Sequence, residues 1–108
     1  MTLEQLTAKT YKKLKDQDFG GGPGRQLAIQ VNLTGKVSGV FYIEVKDGVV
    51  AVMPYEYIDR HASLYVTMTN FEKLLTGKLD AKTAYTDGKL KIEGDVDKVI
   101  ALVRHFGA

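Results

Sequence analysis

The sequence predicts an α+β fold, in which a five-stranded, largely antiparallel sheet carries helices packed on one face. Segments with a helical period of apolar residues open and close the chain. Between them lie segments in which apolar and polar residues alternate, and glycine-rich turn signals separate these segments. A length of 108 residues suits one hydrophobic core, so residues 1–108 are expected to form a single domain.

The first helix is predicted from Leu3 to Asp16. Thr2 is placed to cap this helix, and Gln5, three residues further on, completes a capping box. The glycine cluster Gly20–Gly24 follows the helix and precedes a strand. It lacks the lysine and hydroxyl residues of a phosphate-binding loop, so we interpret it as a flexible connection.

Alternation and turn signals predict five strands, which are Gln26–Thr34, Val40–Val45, Val49–Met53, Ser63–Thr69 and Lys89–Glu93. In the first strand, apolar side chains occupy every second position, which predicts burial on one face only. The third strand is nearly all apolar, and we predict that it is covered on both faces.

Three further helices are predicted in the second half of the chain. Thr69 to Glu72 is a second capping box, which opens a helix that ends at Gly77. Asp80 is placed to cap a short helix, Ala81 to Thr86. The last helix starts at Gly94-Asp95, and its apolar residues recur at offsets of three, four and seven: Val96, Val99, Ile100 and Val103, extended by Leu102 and Phe106.

Charge and composition exclude several classes of function. The net charge is +2, from 15 basic and 13 acidic residues, which is too balanced for a nucleic-acid-binding surface. No apolar run approaches the ~20 residues that a membrane-spanning helix needs. The N-terminus lacks the pattern of a signal peptide, so a cytoplasmic location is expected. The lysines of the first helix are interpreted as a solvated face, and transient contact with an anionic membrane surface stays open as an alternative.

The residues of catalytic and metal sites are sparse. The chain has no cysteine, and its two histidines, His61 and His105, are far apart in sequence, so no metal site is predicted. We interpret Asp59-Arg60-His61 as a surface cluster and His105 as solvated. Neither Ser38 nor Ser63 lies in a nucleophile motif. The sequence therefore predicts no catalytic residue, no cofactor and no enzyme activity.

One segment resembles a known family. Gly77-Lys78-Leu79-Asp80, followed by Ala84 to Asp95, is similar to the C-terminal signature of the sterol carrier protein type-two family, in which Gly-Lys-Leu-Lys-Ile-x-Gly-Asp leads into the closing helix. Upstream, Gln30 to Gly35 and Phe41 to Gly48 resemble the first two strands of that family. The resemblance covers nearly the whole chain from about Leu27 onward.

The resemblance implies a fold and a function. Members of the family have a five-stranded sheet with helices on one face and a hydrophobic tunnel between the two layers. They bind sterols, fatty acids, fatty acyl-CoAs and other lipids without chemistry. We therefore expect this chain to bind or carry a long apolar ligand. The sequence ends soon after its last helix, without the C-terminal segment of eukaryotic members, so a fatty acid or fatty acyl-CoA is expected before a sterol.

Apolar faces next to the family's tunnel position supply the candidate lining residues, which are Phe41, Met53, Met68, Leu75, Leu102, Val103 and Phe106. The abundance of aromatic and methionine side chains is equally consistent with plain core packing, and periodicity does not separate the two readings. An alternative function also stays open. The apolar face of the last helix is equally suited to docking a partner or a second copy, as a detached accessory domain of an enzyme, and both a monomer and a homodimer are compatible with the sequence.

Overall fold

The computed structural model describes residues 2–17, 19 and 26–107, so the predicted connection at Gly20–Gly24 lies outside the described residues. The strands are β1 (Gln26–Thr34), β2 (Gly39–Lys46), β3 (Val49–Met53), β4 (Ala62–Thr67) and β5 (Lys91–Gly94). The helices are α1 (Leu3–Leu14), α2 (Met68–Leu75), α3 (Ala81–Thr86) and α4 (Val96–Arg104), and a 3₁₀ turn, His105–Gly107, follows α4.

The strands form one sheet in the order β3-β2-β1-β4-β5. Neighbouring strands are antiparallel except β1 and β4, which pair in parallel from Ile29↔Ala62 to Thr34↔Thr67. The parallel pair arises because the chain leaves β3 at one edge and crosses under two strands before it enters β4. The predicted α+β fold with a largely antiparallel sheet is confirmed.

The hydrophobic core fills the space between the helices and one face of the sheet. Alternate residues of the strands supply the sheet side of this core: Ile29, Val31, Leu33, Phe41, Ile43, Leu64 and Val66, all buried. The helices supply the other side: Leu6, Leu14, Phe71, Leu74, Leu75, Val99, Leu102 and Val103. Full burial of each large side chain contributes about 1.5–3 kcal/mol, so this apolar layer is the main source of stability.

The helix caps follow the sequence prediction at three of four places. The Thr2 hydroxyl accepts a hydrogen bond from Gln5 N at 3.1 Å, and Thr2 N donates one to Gln5 Oε1 at 2.9 Å. Asp80 and Asp95 cap α3 and α4. The predicted N-cap of α2, Thr69, is wrong, because the helix begins two residues earlier. Its N-cap is Thr67, whose hydroxyl accepts a hydrogen bond from Asn70 N at 3.1 Å. Met68 therefore lies in a helix, because β4 ends at its cap.

Two predictions about strand burial are wrong. Strand β3 is not covered on both faces, since Val49 is 68% and Met53 is 42% exposed. It lies at the edge of the sheet, and α1 packs only against its inward face. Strand β1 is instead the one covered on both faces, because it lies at the centre of the sheet and the crossover segment 54–61 lies beneath it. Gln30 is consequently buried, and its side-chain oxygen accepts a hydrogen bond from Tyr57 N at 3.0 Å.

Gly94 marks the point where β5 approaches β4 too closely for a side chain. Its φ is +96°, in the region that favours glycine, and it pairs with Ala62. A Cβ atom at this position would lie 2.7 Å from the backbone oxygen of His61. The glycine of the family-like segment is thus required by backbone packing.

A glycine-to-alanine pair tests this requirement. We expect Gly94→Ala to lower the free energy of unfolding by about 3 kcal/mol, because a backbone clash is added to the unfavourable φ. Gly88→Ala is the matched control, since its φ is +77° but no atom lies within 4 Å of the added Cβ. Its expected cost is about 1 kcal/mol. Urea denaturation of both variants measures the difference, and equal costs would contradict the close approach.

Candidate functional site

A row of three aromatic rings runs through the apolar layer from the sheet to the C-terminal turn. The rings of Phe41 and Phe71 lie 5.4 Å apart at an interplanar angle of 84°, and those of Phe71 and Phe106 lie 5.5 Å apart at 73°. Both contacts have the edge-to-face geometry that aromatic pairs prefer. The row joins β2, α2 and the 3₁₀ turn after α4, so three separate parts of the chain meet at one line of contacts.

The apolar layer is closed around these rings. Phe41, Phe71 and Phe106 each have 0% exposure, which means that no water-sized space adjoins them. A molecule can lie beside the rings only after the helices move away from the sheet or the side chains change rotamer. Protein interiors are packed at crystal-like density, so such a change replaces one set of contacts by another.

Four of the seven predicted lining residues lie in this layer beside Phe41. Leu75 closes α2, Leu102 and Val103 lie in α4, and Phe106 lies in the following turn; all belong to the hydrophobic core. Met68, at the start of α2, is half-buried and packs against the edge of that core. The structure thus brings Phe41 and the helical residues, which are far apart in sequence, into one buried cluster.

Met53 lies away from the other six predicted residues. It pairs with Tyr42 across β2 and β3, whereas the neighbouring Phe41 points to the helices. Because successive side chains in a strand point to opposite faces, Met53 lies on the face of the sheet that carries no helix. Phe71, in contrast, was not predicted as a lining residue although it is the middle ring of the row. Its spacing from Leu74 and Leu75 along one helix face is the sequence signal that marks it.

An open pocket of about 280 Å³ lies at the corner where the α2–α3 connection meets the end of α4. Its lining combines core side chains with charged ones: Leu74, Gly77, Leu79, Asp80, Ala81, Val103 and Arg104. Leu74 and Val103 belong both to this pocket and to the hydrophobic core. The pocket therefore ends directly on the apolar layer.

The carboxylate of Asp80 at this pocket is held in its charged form. Thr83 N donates a hydrogen bond to it at 3.0 Å, and the Thr83 hydroxyl donates another at 3.2 Å. The hydrogen bond from the Thr83 backbone is the main reason that the pKa of Asp80 is lowered, followed by that from the Thr83 hydroxyl, and the positive charge of Arg104 adds a smaller contribution.

Polar side chains on the opposite face of the sheet anchor the crossover segment. The Tyr57 hydroxyl donates a hydrogen bond to Glu44, and Gln26 Nε2 donates to the same carboxylate at 3.0 Å. The Tyr57 ring also packs edge-on against Tyr42, with centroids 5.0 Å apart. The hydrogen bond to Glu44, with burial second, raises the pKa of Tyr57, because the carboxylate favours the protonated phenol. This cluster holds the crossover segment 54–61 against the sheet.

Both histidines have structural partners. His61 Nδ1 accepts a hydrogen bond from Ala28 N at 2.9 Å, so the residue ties the crossover segment to β1 and is half-buried, unlike a plain surface cluster. The prediction that His105 is solvated is wrong. Its ring packs against Phe19, with centroids 4.3 Å apart, and its Nδ1 lies 3.0 Å from Gln17 Oε1. These contacts form because the end of α4 packs beside the residues after α1.

No group of three or more histidine, cysteine, aspartate or glutamate side chains that could hold a metal ion occurs in the described part of the chain. Across residues 2–17, 19 and 26–107, no helix is both long enough and apolar enough to cross a membrane. The apolar layer adjoins a pocket whose lining includes two charged side chains, Asp80 and Arg104.

A sheet face covered by short helices, with a continuous apolar layer between them, defines the architecture of a family of small lipid-carrier domains. The chain belongs to the SCP-2 sterol transfer family, whose family model matches residues 3–106. Membership implies lipid binding or transfer, and it confirms the resemblance seen in the sequence. A comparison with curated proteins finds no match.

Solved structures with the same fold include separate small proteins and part of a larger enzyme. A protein described as UbiJ-SCP2 ubiquinone synthesis protein superposes with a TM-score of 0.72 at 15% identity, over 96% of this chain and 87% of that one. Palmitated SCP2L2 from Aedes aegypti gives 0.74 at 16% identity, over 100% and 96%. The sec-alkylsulfatase Pisa1 from Pseudomonas sp. gives 0.63 at 18% identity, over 94% of this chain but 14% of the sulfatase. At these identities the likeness shows the fold alone.

The Tyr57 contact gives a pH-dependent prediction. Because the pKa of Tyr57 is raised in the folded protein, its contribution to stability is fully present below the ordinary tyrosine pKa of about 10 and is lost as the pH rises through the folded value. We expect the free energy of unfolding of the native protein to fall more steeply above pH 10 than that of Tyr57→Phe. Tyr55→Phe, at an exposed position, is the control and should behave like the native protein.

Urea denaturation at pH 8 and pH 10.5, followed by circular dichroism, measures how far the free energy of unfolding falls between the two pH values. An equal fall for Tyr57→Phe and the native protein would contradict the contact.

Proposed function

We propose that this protein acts in the cytoplasm as a non-enzymatic carrier of a long apolar ligand, a fatty acid or fatty acyl-CoA before a sterol. The ligand lies between the helices and the sheet, in contact with Phe41, Leu75, Leu102, Val103 and Phe106, with Met68 at the edge. The observation that supports this proposal is the row of buried rings, which lies in one continuous apolar layer with Leu75, Leu102 and Val103, next to an open pocket.

Binding requires the layer to open, and α3 is the helix best suited to that. Helix α3 has six residues and buries only two small side chains, Ala81 and Ala84. Helix α2 is held more firmly, because it buries Phe71, Leu74 and Leu75. A short helix with few buried side chains unfolds or shifts locally at low cost. A ligand that enters restores about 25 cal/mol for each Å² of apolar surface that it covers, which offsets the packing lost on opening.

Saturable binding of acyl chains is the first expected result. Protein that has been denatured, freed of lipid and refolded should bind fluorescent fatty acids of several chain lengths with one site per molecule. Native mass spectrometry of freshly expressed protein should show a retained adduct, whose mass gives the ligand. No saturable binding at any chain length would refute the proposal.

A variant of the aromatic row tests where the ligand lies. Phe106→Leu removes part of a buried ring, so we expect it to lower the free energy of unfolding by about 1–2 kcal/mol and to leave space in the layer. Apolar ligands occupy such spaces, and fatty acid should therefore raise Tm more in this variant than in the native protein. Met53→Leu, on the opposite face, is the control and should respond like the native protein. If ligand shifts Tm equally in all three proteins, the ligand does not lie beside Phe106.

A second candidate function is a protein-interaction or dimerisation domain, which docks on a second copy of the chain or on a partner enzyme as its accessory domain. It is favoured by the likeness to a domain-sized part of a sulfatase and by exposed apolar side chains at one edge of the sheet, Val49, Met53, Tyr55 and Ile58. The apolar face of α4 is not available for this role, because Val99, Leu102, Val103 and Phe106 are buried in the core. Sedimentation of the lipid-free protein at several concentrations separates the candidates: this function predicts self-association of a protein that binds no lipid.

A further inference from the structure

The pocket between the α2–α3 connection and α4 has the composition of a headgroup site. Its volume of about 280 Å³ is at the lower end of small-molecule sites, which span about 300–1,000 Å³. It is therefore large enough for a polar headgroup and the first methylene groups, but too small for a long chain. The rest of such a chain must continue into the layer that Leu74 and Val103 separate from the pocket.

Arg104 supplies the charge at this pocket. It is the last residue of α4, its side chain is exposed, and it follows directly after Val103, which is buried. No described residue forms a hydrogen bond or an ion pair with its guanidinium group. Its five N–H donors are thus available to a ligand, and their fork geometry matches a carboxylate in a bidentate pair.

The neighbouring Asp80 limits which anion fits. Its carboxylate is charged and accepts hydrogen bonds from the Thr83 backbone and hydroxyl, and it attracts Arg104 without forming a direct ion pair with it. The negative charge of Asp80 repels a doubly charged phosphate headgroup more strongly than a singly charged carboxylate headgroup. The pocket therefore favours a carboxylate headgroup.

We propose that Arg104 binds the carboxylate of a long-chain fatty acid at this pocket, while Leu74 and Val103 direct its first methylene groups toward the apolar layer. This inference rests on the proposed function and adds to it the headgroup class, the residue that recognises it and the end of the layer at which the ligand enters. Arg104 acts in binding and has no catalytic part.

The test compares an acid with the alcohol of equal chain length. Isothermal titration calorimetry at low ionic strength measures binding of dodecanoate and of 1-dodecanol to the native protein, Arg104→Gln, Arg104→Lys and Lys98→Gln. Lys98 lies on the same helix outside the pocket, so Lys98→Gln is the control for the change of net charge. We expect Arg104→Gln to raise the Kd for dodecanoate about tenfold, as for a lost charge-assisted pair, and to leave the Kd for 1-dodecanol unchanged.

The Kd of Arg104→Lys for dodecanoate should lie between those of the native protein and Arg104→Gln, because lysine keeps the positive charge but cannot form the bidentate pair. Lys98→Gln should bind both compounds like the native protein. Equal weakening of acid and alcohol, or equal effects of Arg104→Gln and Lys98→Gln on the acid, would overturn the inference while the proposed function stands. Failure of the native protein to bind dodecanoate would overturn the inference, whereas the proposed function fails only if no acyl chain of any length binds.

Discussion

The contact of Phe71 with Phe41 and Phe106 is the interaction on which the rest of the structure depends. The three rings come from the second strand, the helix after the crossover and the turn at the end of the last helix. Each ring is fully buried, and each lies in a different element of the fold. The row therefore fixes the distance between sheet and helices, and with it the thickness of the apolar layer.

The two faces of the sheet have divided roles because of the crossover from β3 to β4. On the helix side, the apolar side chains of the described residues form one continuous cluster. On the other side, Tyr57, Glu44 and Gln26 form a hydrogen-bonded cluster that holds the crossover segment against β1. Of the two short helices on the other face, α3 has the lower cost of movement, because it buries only two small side chains. A rigid sheet beneath a movable helix suits the proposed entry and release of an apolar ligand.

Much of the fold was predictable, because local physical chemistry specifies it. The capping side chains Thr2, Asp80 and Asp95 each bond a nearby backbone N–H, and alternation along β1 and β2 follows from the pleat of a strand. The candidate site was predictable only in part. The periodicity that marks Leu102, Val103 and Phe106 as one face also marks any core helix, so it does not say that Phe71 joins them or that Met53 lies across the sheet. The pocket at Arg104 had no sequence signal, since its lining comes from two segments that are more than twenty residues apart in sequence.

The sequence by itself determined the element types, most of their boundaries and the family, because caps, turns and periodicities involve residues within a few positions of one another. Only the tertiary structure decided which strand lies at the centre and which at the edge. That order makes β1 covered on both faces and leaves the apolar β3 half-exposed, the reverse of what their compositions predict. The physical reason is that the burial of a strand depends on its neighbours in space. The crossover that sets those neighbours pairs strands that are far apart in sequence. The signature from Gly77 to Asp95 likewise identifies the fold through its glycines, whereas the packing of helix on sheet determines where a ligand can lie.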